Sequence, residues 1–176
     1  MAPVRIRNGR FLQNSMTVVK DRAIDLKSEV TRMATEALEG YDMFLVDVVV
    51  RGRQGSRVVE VFVDGDRGAG VDELSGASRQ LAFLLESEDL IRGKYHLNVS
   101  SPGEDKALML PRQYGQHVGR QLEVTLRIPD SDEPGAVETG ELVASEETTI
   151  VLKSESGESK EISFDEIDEA KIVMPW

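Results

Sequence analysis

Tyr95-His96-Leu97-Asn98-Val99-Ser100-Ser101-Pro102-Gly103 is an alternating stretch that runs into a stop, and it divides the chain. Tyr95, Leu97 and Val99 fall on one face at a period of two and His96, Asn98 and Ser100 on the other, the pattern of a half-buried strand. Pro102 has no N–H with which to continue a ladder and biases Ser101 toward extended backbone, while Gly103 supplies the positive φ of a turn. The strand must end there. The residues before it read as one folding unit and the residues after it as another.

Upstream, Ala23, Leu26, Val30, Met33, Ala34 and Ala37 recur at three and four between Lys20 and Glu39, one helical stripe with Gly40 as its stop. Phe44, Val46, Val48 and Val50 alternate, Arg51 to Ser56 makes a glycine-bearing turn, and Val58 to Asp64 alternates again, which predicts a hairpin whose Val59, Val61 and Val63 face meets helices. A loop from Gly65 to Gly70 leads to a second helix with Asp72 as its cap. Leu74, Ala77, Ser78, Leu81 and Leu85 form its inner stripe, and Arg79 and Gln80 face solvent. The order helix, strand, strand, helix, strand predicts a two-layer α/β unit over residues 20–103, with the strand-helix-strand crossover making its two strands parallel.

Downstream, residues 104–118 read as a linker with one turn of helix, anchored by Leu108, Leu110, Tyr114 and Val118. Over residues 119–176 short strands are expected around Leu122 to Leu126, Gly140 to Ala144, Thr149 to Leu152, Glu161 to Phe164 and Lys171 to Val173. Turns are expected at Pro134-Gly135, Ser145-Glu146-Glu147 and Glu155-Ser156-Gly157, and a helical turn at Asp165 to Glu169. Five short strands suit a small closed barrel, because closure removes sheet edges. The fold class is therefore α+β, an α/β unit followed by a small barrel.

The chain has 176 residues and no cysteine, which removes disulfides, thiolate metal sites and thiol nucleophiles and carries no sign of an oxidising compartment. Its longest apolar run, Met43 to Val50, is interrupted by Asp47 and too short for a bilayer, and residues 1–19, with Arg5, Arg7 and Arg10, read as a flexible basic arm rather than a signal peptide. A cytoplasmic protein with no membrane association is expected. The net charge of -11 is lopsided: residues 1–129 hold 18 Lys/Arg and 18 Asp/Glu, whereas residues 130–176 hold 3 and 14. The acidic end repels a phosphate backbone and attracts a basic protein.

No residue pattern points to catalysis or to a cofactor. The Gly65 to Gly70 loop lacks the Lys-Ser/Thr pair of a phosphate loop and is ringed by Asp64, Asp66 and Asp72. Gly52-Arg53-Gln54-Gly55 has the spacing of an RNA-clamping KH loop but joins two strands rather than two helices. His96 and His117 stand in no metal-ligand motif, and Ser101 ends a strand rather than occupying a nucleophile elbow.

The hinge stretch, with Val63-Asp64-Gly65 and Ala77-Ser78-Arg79-Gln80-Leu81, resembles the ribosome maturation factor RimP family over most of residues 20–176. Its motif residues here are Ser100, Ser101, Pro102 and Gly103. The resemblance implies an N-terminal α/β domain and a C-terminal SH3-like, Sm-like barrel. It implies a non-enzymatic, cytoplasmic factor for small (30S) subunit assembly, which binds a basic ribosomal protein near the decoding centre, with rRNA close by. A monomer without cofactor is expected. Arg79, Lys106 and Arg112 are then candidate ribosome contacts, and Glu141, Glu161 and Asp165 candidate docking residues of the barrel. After Gly103 the sequence departs from the family pattern of Asp-Arg-Pro-Leu, with Glu104-Asp105-Lys106-Ala107-Leu108 in its place, and Lys106 cannot reproduce a bidentate arginine grip. Two rival readings are an RNA-binding regulator that uses the Gly52 to Gly55 loop and the barrel, and a hydrolase built on Ser101. Phe164 and Trp176 are the only aromatic residues in the acidic end, too few for base-stacking platforms.

Overall fold

The computed structural model describes residues 26–174. The basic arm expected at 1–19, the first part of the helix expected from Lys20 and the terminal Trp176 lie outside the described residues. Residues 26–37 are helical (α1), followed by β1 (Met43–Arg51), β2 (Arg57–Gly65), α2 (Val71–Ser87) and β3 (Tyr95–Ser100). β1 and β2 pair antiparallel across the 51–57 turn, and β2 and β3 pair parallel, Arg57 opposite Tyr95 and Phe62 opposite Ser100, as the crossover requires. One face of this sheet carries Val48, Val59, Val61 and Val63, each at most 1% exposed, against Val30, Met33 and Ala37 of α1 and Ala77, Leu81 and Leu85 of α2. Each fully buried Met or Leu here contributes about 1.5–3 kcal/mol, so this valine-and-helix layer holds the N-terminal unit together. Asp72 does not cap α2. The helix begins at Val71 with Gly70 in the cap position, and the Gly70 N–H donates to Glu73 Oε2 at 3.3 Å, leaving Asp72 inside the first turn where a negative charge favours the helix dipole.

The segment expected as a linker is anchored. Leu108 donates its N–H to the Ala170 carbonyl at 2.8 Å, a short helix α3 (Pro111–Tyr114) passes into a 3-10 turn (Gly115–His117), and Tyr114 is 3% exposed with its ring edge-on to Phe164. Burial pushes the Tyr114 hydroxyl up to about 12. Both anchors thereby join the second core.

That core lies within one antiparallel sheet of β4 (Gln121–Arg127), β5 (Pro134–Ser145), β6 (Thr149–Lys153), β7 (Ser159–Ser163) and β8 (Ile167–Ile172), ordered β7-β6-β5-β4-β8. Ile162 at one edge and Ile167, Ala170 and Ile172 at the other meet Leu122, Val124, Leu142, Ile150 and Leu152 in a single cluster, so the sheet curls over one core. The expected closure is not seen. No ladder joins β7 to β8, because a 3-10 turn at Phe164–Glu166 carries the chain from one edge to the other. Those edges are guarded by charge instead, with Lys160 and Glu161 on β7 and Glu169 and Lys171 on β8. The same 3-10 turn replaces the longer helical turn expected at Asp165 to Glu169, and β8 starts at Ile167.

Pro134-Gly135, expected as a turn, instead opens β5, and the chain reverses at residues 128–133, where Asp130 adopts φ +60°. A proline at the first residue of a strand breaks no ladder bond. Gly135 is there for space rather than for turning, since a Cβ on it would lie closer than van der Waals contact to the Leu126 carbonyl.

Candidate functional site

The helices cover one face of the first sheet; part of the other face meets the segment after the hinge. Phe44, Phe62 and Asp64 share that second face through the Phe44–Asp64 register and the alternation along β2. The Lys106 ammonium stands 4.1 Å from the centre of the Phe62 ring, and the Arg112 guanidinium 4.4 Å from that of Phe44. Arg112 also grips Asp66 with two bonds of 2.7 Å, from Nε and Nη2, and its guanidinium beside Asp66 holds that carboxyl below the usual range. Arg120 binds Glu104 through both Nη atoms and depresses that carboxyl likewise. Glu104, Lys106 and Arg112 thus serve the seam between the two units.

Asp64 is the polar centre of the seam, 7% exposed near the end of a strand whose inward residues Val59, Val61 and Val63 are apolar. Its Oδ1 accepts the Gly65 N–H at 2.9 Å, and its Oδ2 accepts Gln113 Nε2 at 3.1 Å and Gln116 Nε2 at 2.9 Å. Gln113, 1% exposed, uses both ends of its amide: while Nε2 donates to Asp64, Oε1 accepts the N–H groups of Met109 at 2.8 Å and Leu110 at 3.0 Å. It stands third in a helix whose first residue is Pro111, so it satisfies the free donors at the start of α3 and fastens that start to β2. A cleft of about 160 Å³ opens beside this knot, between Asp64, Ser101, Gly103, Lys106, Gln116 and His117.

The seam makes two measurable differences. Gly103 adopts φ +84°, where a side chain is strained, and a Cβ there would meet Asp105 Oδ1 at 2.8 Å. Gly103→Val should therefore cost about 1–2 kcal/mol, read as a melting temperature a few degrees lower; an unchanged melt would refute the strain. His117 is held below its ordinary value by burial, with Asp64 pulling upward, Arg120 downward and Glu104 upward. The unfolded chain takes up this proton below about pH 6.5 while the folded one resists, so stability falls as pH drops from there through the folded value. His117→Asn should shrink the fall in melting temperature between about pH 7.5 and about pH 5.5, and equal falls in both proteins would contradict the assignment.

The second sheet presents a different surface. Glu141 and Glu161 point outward beside the inward Leu142 and Ile162, on β5 and β7 flanking β6. The Ser163 hydroxyl and the backbone of Asp165 hold the exposed Asp165 carboxyl below its usual range. The Phe164 N–H donates to the Thr148 carbonyl, which brings Asp165 and Glu166 next to the β5–β6 turn carrying Glu146 and Glu147. Of the three lysines in residues 130–176, Lys160 pairs with Glu138 at 2.6 Å, Lys171 with Glu169 at 2.8 Å, and Lys153 stands opposite Glu141 in the ladder. Most of the acids remain uncompensated.

Arg79 is exposed on α2 and makes no ion pair among the described residues, whereas Lys106 and Arg112 already have internal partners. Ser100 and Ser101 make no hydrogen bond to a histidine among the described residues, although Ser101 and His117 line the same cleft. No cluster of three or more His, Asp and Glu among the described residues could hold a metal, and no helix there is long and apolar enough to cross a membrane. Gln113 and Gln116 do not stand out in the sequence. The available signal is Leu110-Pro111-x-Gln113, a helix start with its own cap, together with Asp64 closing a run of valines.

Residues 33–105 match the RimP N-terminal domain family. Ribosome maturation factor RimP of Nitratidesulfovibrio vulgaris, in strains DP4 and Hildenborough, is 41% identical over 123 residues, which cover 69% of this chain and 69% of the relative. The family match takes in the hinge motif and the parallel β2–β3 pair, and on these similarities the chain belongs to the ribosome maturation factor RimP family.

Proposed function

We propose that the chain is a non-enzymatic maturation factor of the small ribosomal subunit, working in the cytoplasm as a monomer. In this reading the second unit is an open SH3-like barrel whose acidic outer face, with Glu141, Glu161 and Asp165, docks a basic small-subunit protein near the decoding centre. The N-terminal unit, held at a set angle by the Asp64 knot, is placed against neighbouring rRNA. The observation that carries the docking step is the charge: residues 130–176 hold 14 acids to 3 lysines, and all three lysines already face acids. Such a field speeds encounter with a cationic surface and turns away bare phosphate backbone.

Co-sedimentation with purified small and large subunits across a salt series tests this reading. Retention by small subunits, weakening as salt rises, is the expected outcome. Equal retention by both subunits, or by neither, would overturn it.

A further inference from the structure

Resting on the maturation reading for its choice of RNA, we propose that the far pole of the first sheet, at Arg53, Arg57, Arg92 and Lys94, binds the phosphate backbone of double-helical RNA. Two separate loops build this pole. The β1–β2 turn runs Arg51-Gly52-Arg53-Gln54-Gly55-Ser56-Arg57, and the α2–β3 loop runs Arg92-Gly93-Lys94 into Tyr95-His96. They touch: a Cβ on Gly93 would lie 3.2 Å from the Gly55 nitrogen, and Arg57 pairs with Tyr95 in the ladder. Together they set five cations and no carboxylate side by side.

Arg51 is committed, its Nε on Glu60 at 3.0 Å. Arg53, Arg57, Arg92 and Lys94 pair with no carboxylate among the described residues, and Arg57 Nε is enclosed without any acceptor. The neighbouring acids are accounted for in part: Glu88 is taken by Arg32, Glu86 lies by Tyr95, and Asp89 is exposed three residues before Arg92. Gly55 adopts positive φ with open space where a side chain would stand, so a phosphate can approach the turn there, while at Gly52 the Ser56 carbonyl fills that position and closes the turn. Arginine forks match phosphate oxygens in pairs.

Geometry separates this pole from the acidic sheet. β2 starts at Arg57 and reaches the seam at Asp64, and its nine residues span roughly 25–30 Å. RNA turned away by the acidic end therefore meets attraction at the opposite end of the same strand. An acidic protein is the weaker fit, since none of the large exposed apolar side chains lies in either loop to serve as an anchor. Stacking on unpaired bases is also a poor fit, because Tyr95 packs toward the core and the pole has no Phe, Trp or second Tyr, with His96 as its single exposed ring.

The test uses the full chain and a fluorescent RNA duplex of about 20 base pairs, with anisotropy read between about 50 and about 200 mM salt. Arg53→Gln, Arg92→Gln and Lys94→Gln combined should weaken binding about tenfold or more and flatten the logarithmic salt slope by about 2–3, close to one unit per lost phosphate contact. All three residues are exposed, so the melting temperature should hold. Glu141→Gln with Glu161→Gln should not weaken duplex binding. Wild-type and triple-variant curves that coincide, no binding of the duplex by wild type, or equal binding of polyglutamate would each overturn the proposal. Because no ribosomal protein is present, a failure here leaves docking by the acidic sheet to be judged separately by co-sedimentation.

Discussion

Asp64→Ala is expected to lower the melting temperature by roughly 10 °C, the largest stability loss in the molecule outside its apolar cores. Removing the carboxylate strands three donors at once, Gly65 N–H, Gln113 Nε2 and Gln116 Nε2. Gln113 cannot turn to water, since it is 1% exposed and its Oε1 is already engaged by Met109 and Leu110. A buried donor left without a partner costs about 1–3 kcal/mol, and a bond to a charged acceptor is at the upper end, so a total near 3 kcal/mol is reasonable. Asp64→Asn keeps one acceptor and should lose less. The loss should also appear as faster proteolysis within residues 104–110, because the knot fastens α3 to β2. A melt within a degree or so of wild type would mean that the seam is held by the exposed Arg112–Asp66 and Arg120–Glu104 pairs instead.

Reversing Glu141, Glu161 and Asp165 together to lysine is expected to weaken small-subunit binding by about 30-fold or more at low salt, mainly through slower association. The three side chains are exposed and bear no core contact, so folding should survive. The change adds six positive charges to a region whose acids otherwise outnumber its lysines, and it sets like charge against a basic partner. Salt near 0.5 M, with a Debye length of about 4 Å, should bring the wild type and the variant closer together. Stopped-flow association with labelled subunits reads both effects. An unchanged association rate would leave the acidic sheet as mere surface.

The two-layer unit is legible in the sequence because its signals are periodic and local. A valine face at period two and helical stripes at three and four each have one face to bury, and core and ladder keep to that pattern along β2, β3 and the helices. A bulge between Leu45 and Asp47 shifts β1, however, so that Phe44 faces away from the helices and Val48 and Val50 face them. The second unit is less legible. Alternation places its strands, but whether the last strand closes onto β7 depends on where a three-residue 3-10 turn points the chain, which no local pattern encodes. Pro134-Gly135 misleads for a related reason: the pair has turn chemistry, yet its proline tolerates a strand start and its glycine answers a crowded carbonyl on the neighbouring strand. The seam is hidden because Asp64 lies 49 and 52 positions before Gln113 and Gln116, and single polar residues carry no period. Lys106 and Arg112 read in sequence as charges facing outward, and both are exposed, yet long-range contacts with Phe62, Phe44 and Asp66 give each a partner within the chain, which no local pattern shows.

Docking of a basic small-subunit protein on the acidic sheet is tested most directly by titrating that purified ribosomal protein into the labelled full chain. Saturable one-to-one binding is expected, weakening with salt, lost in the Glu141, Glu161 and Asp165 reversal, and indifferent to neutralising Arg53, Arg92 and Lys94. Absence of binding, or binding that the acidic-face reversal leaves intact, would contradict the docking role.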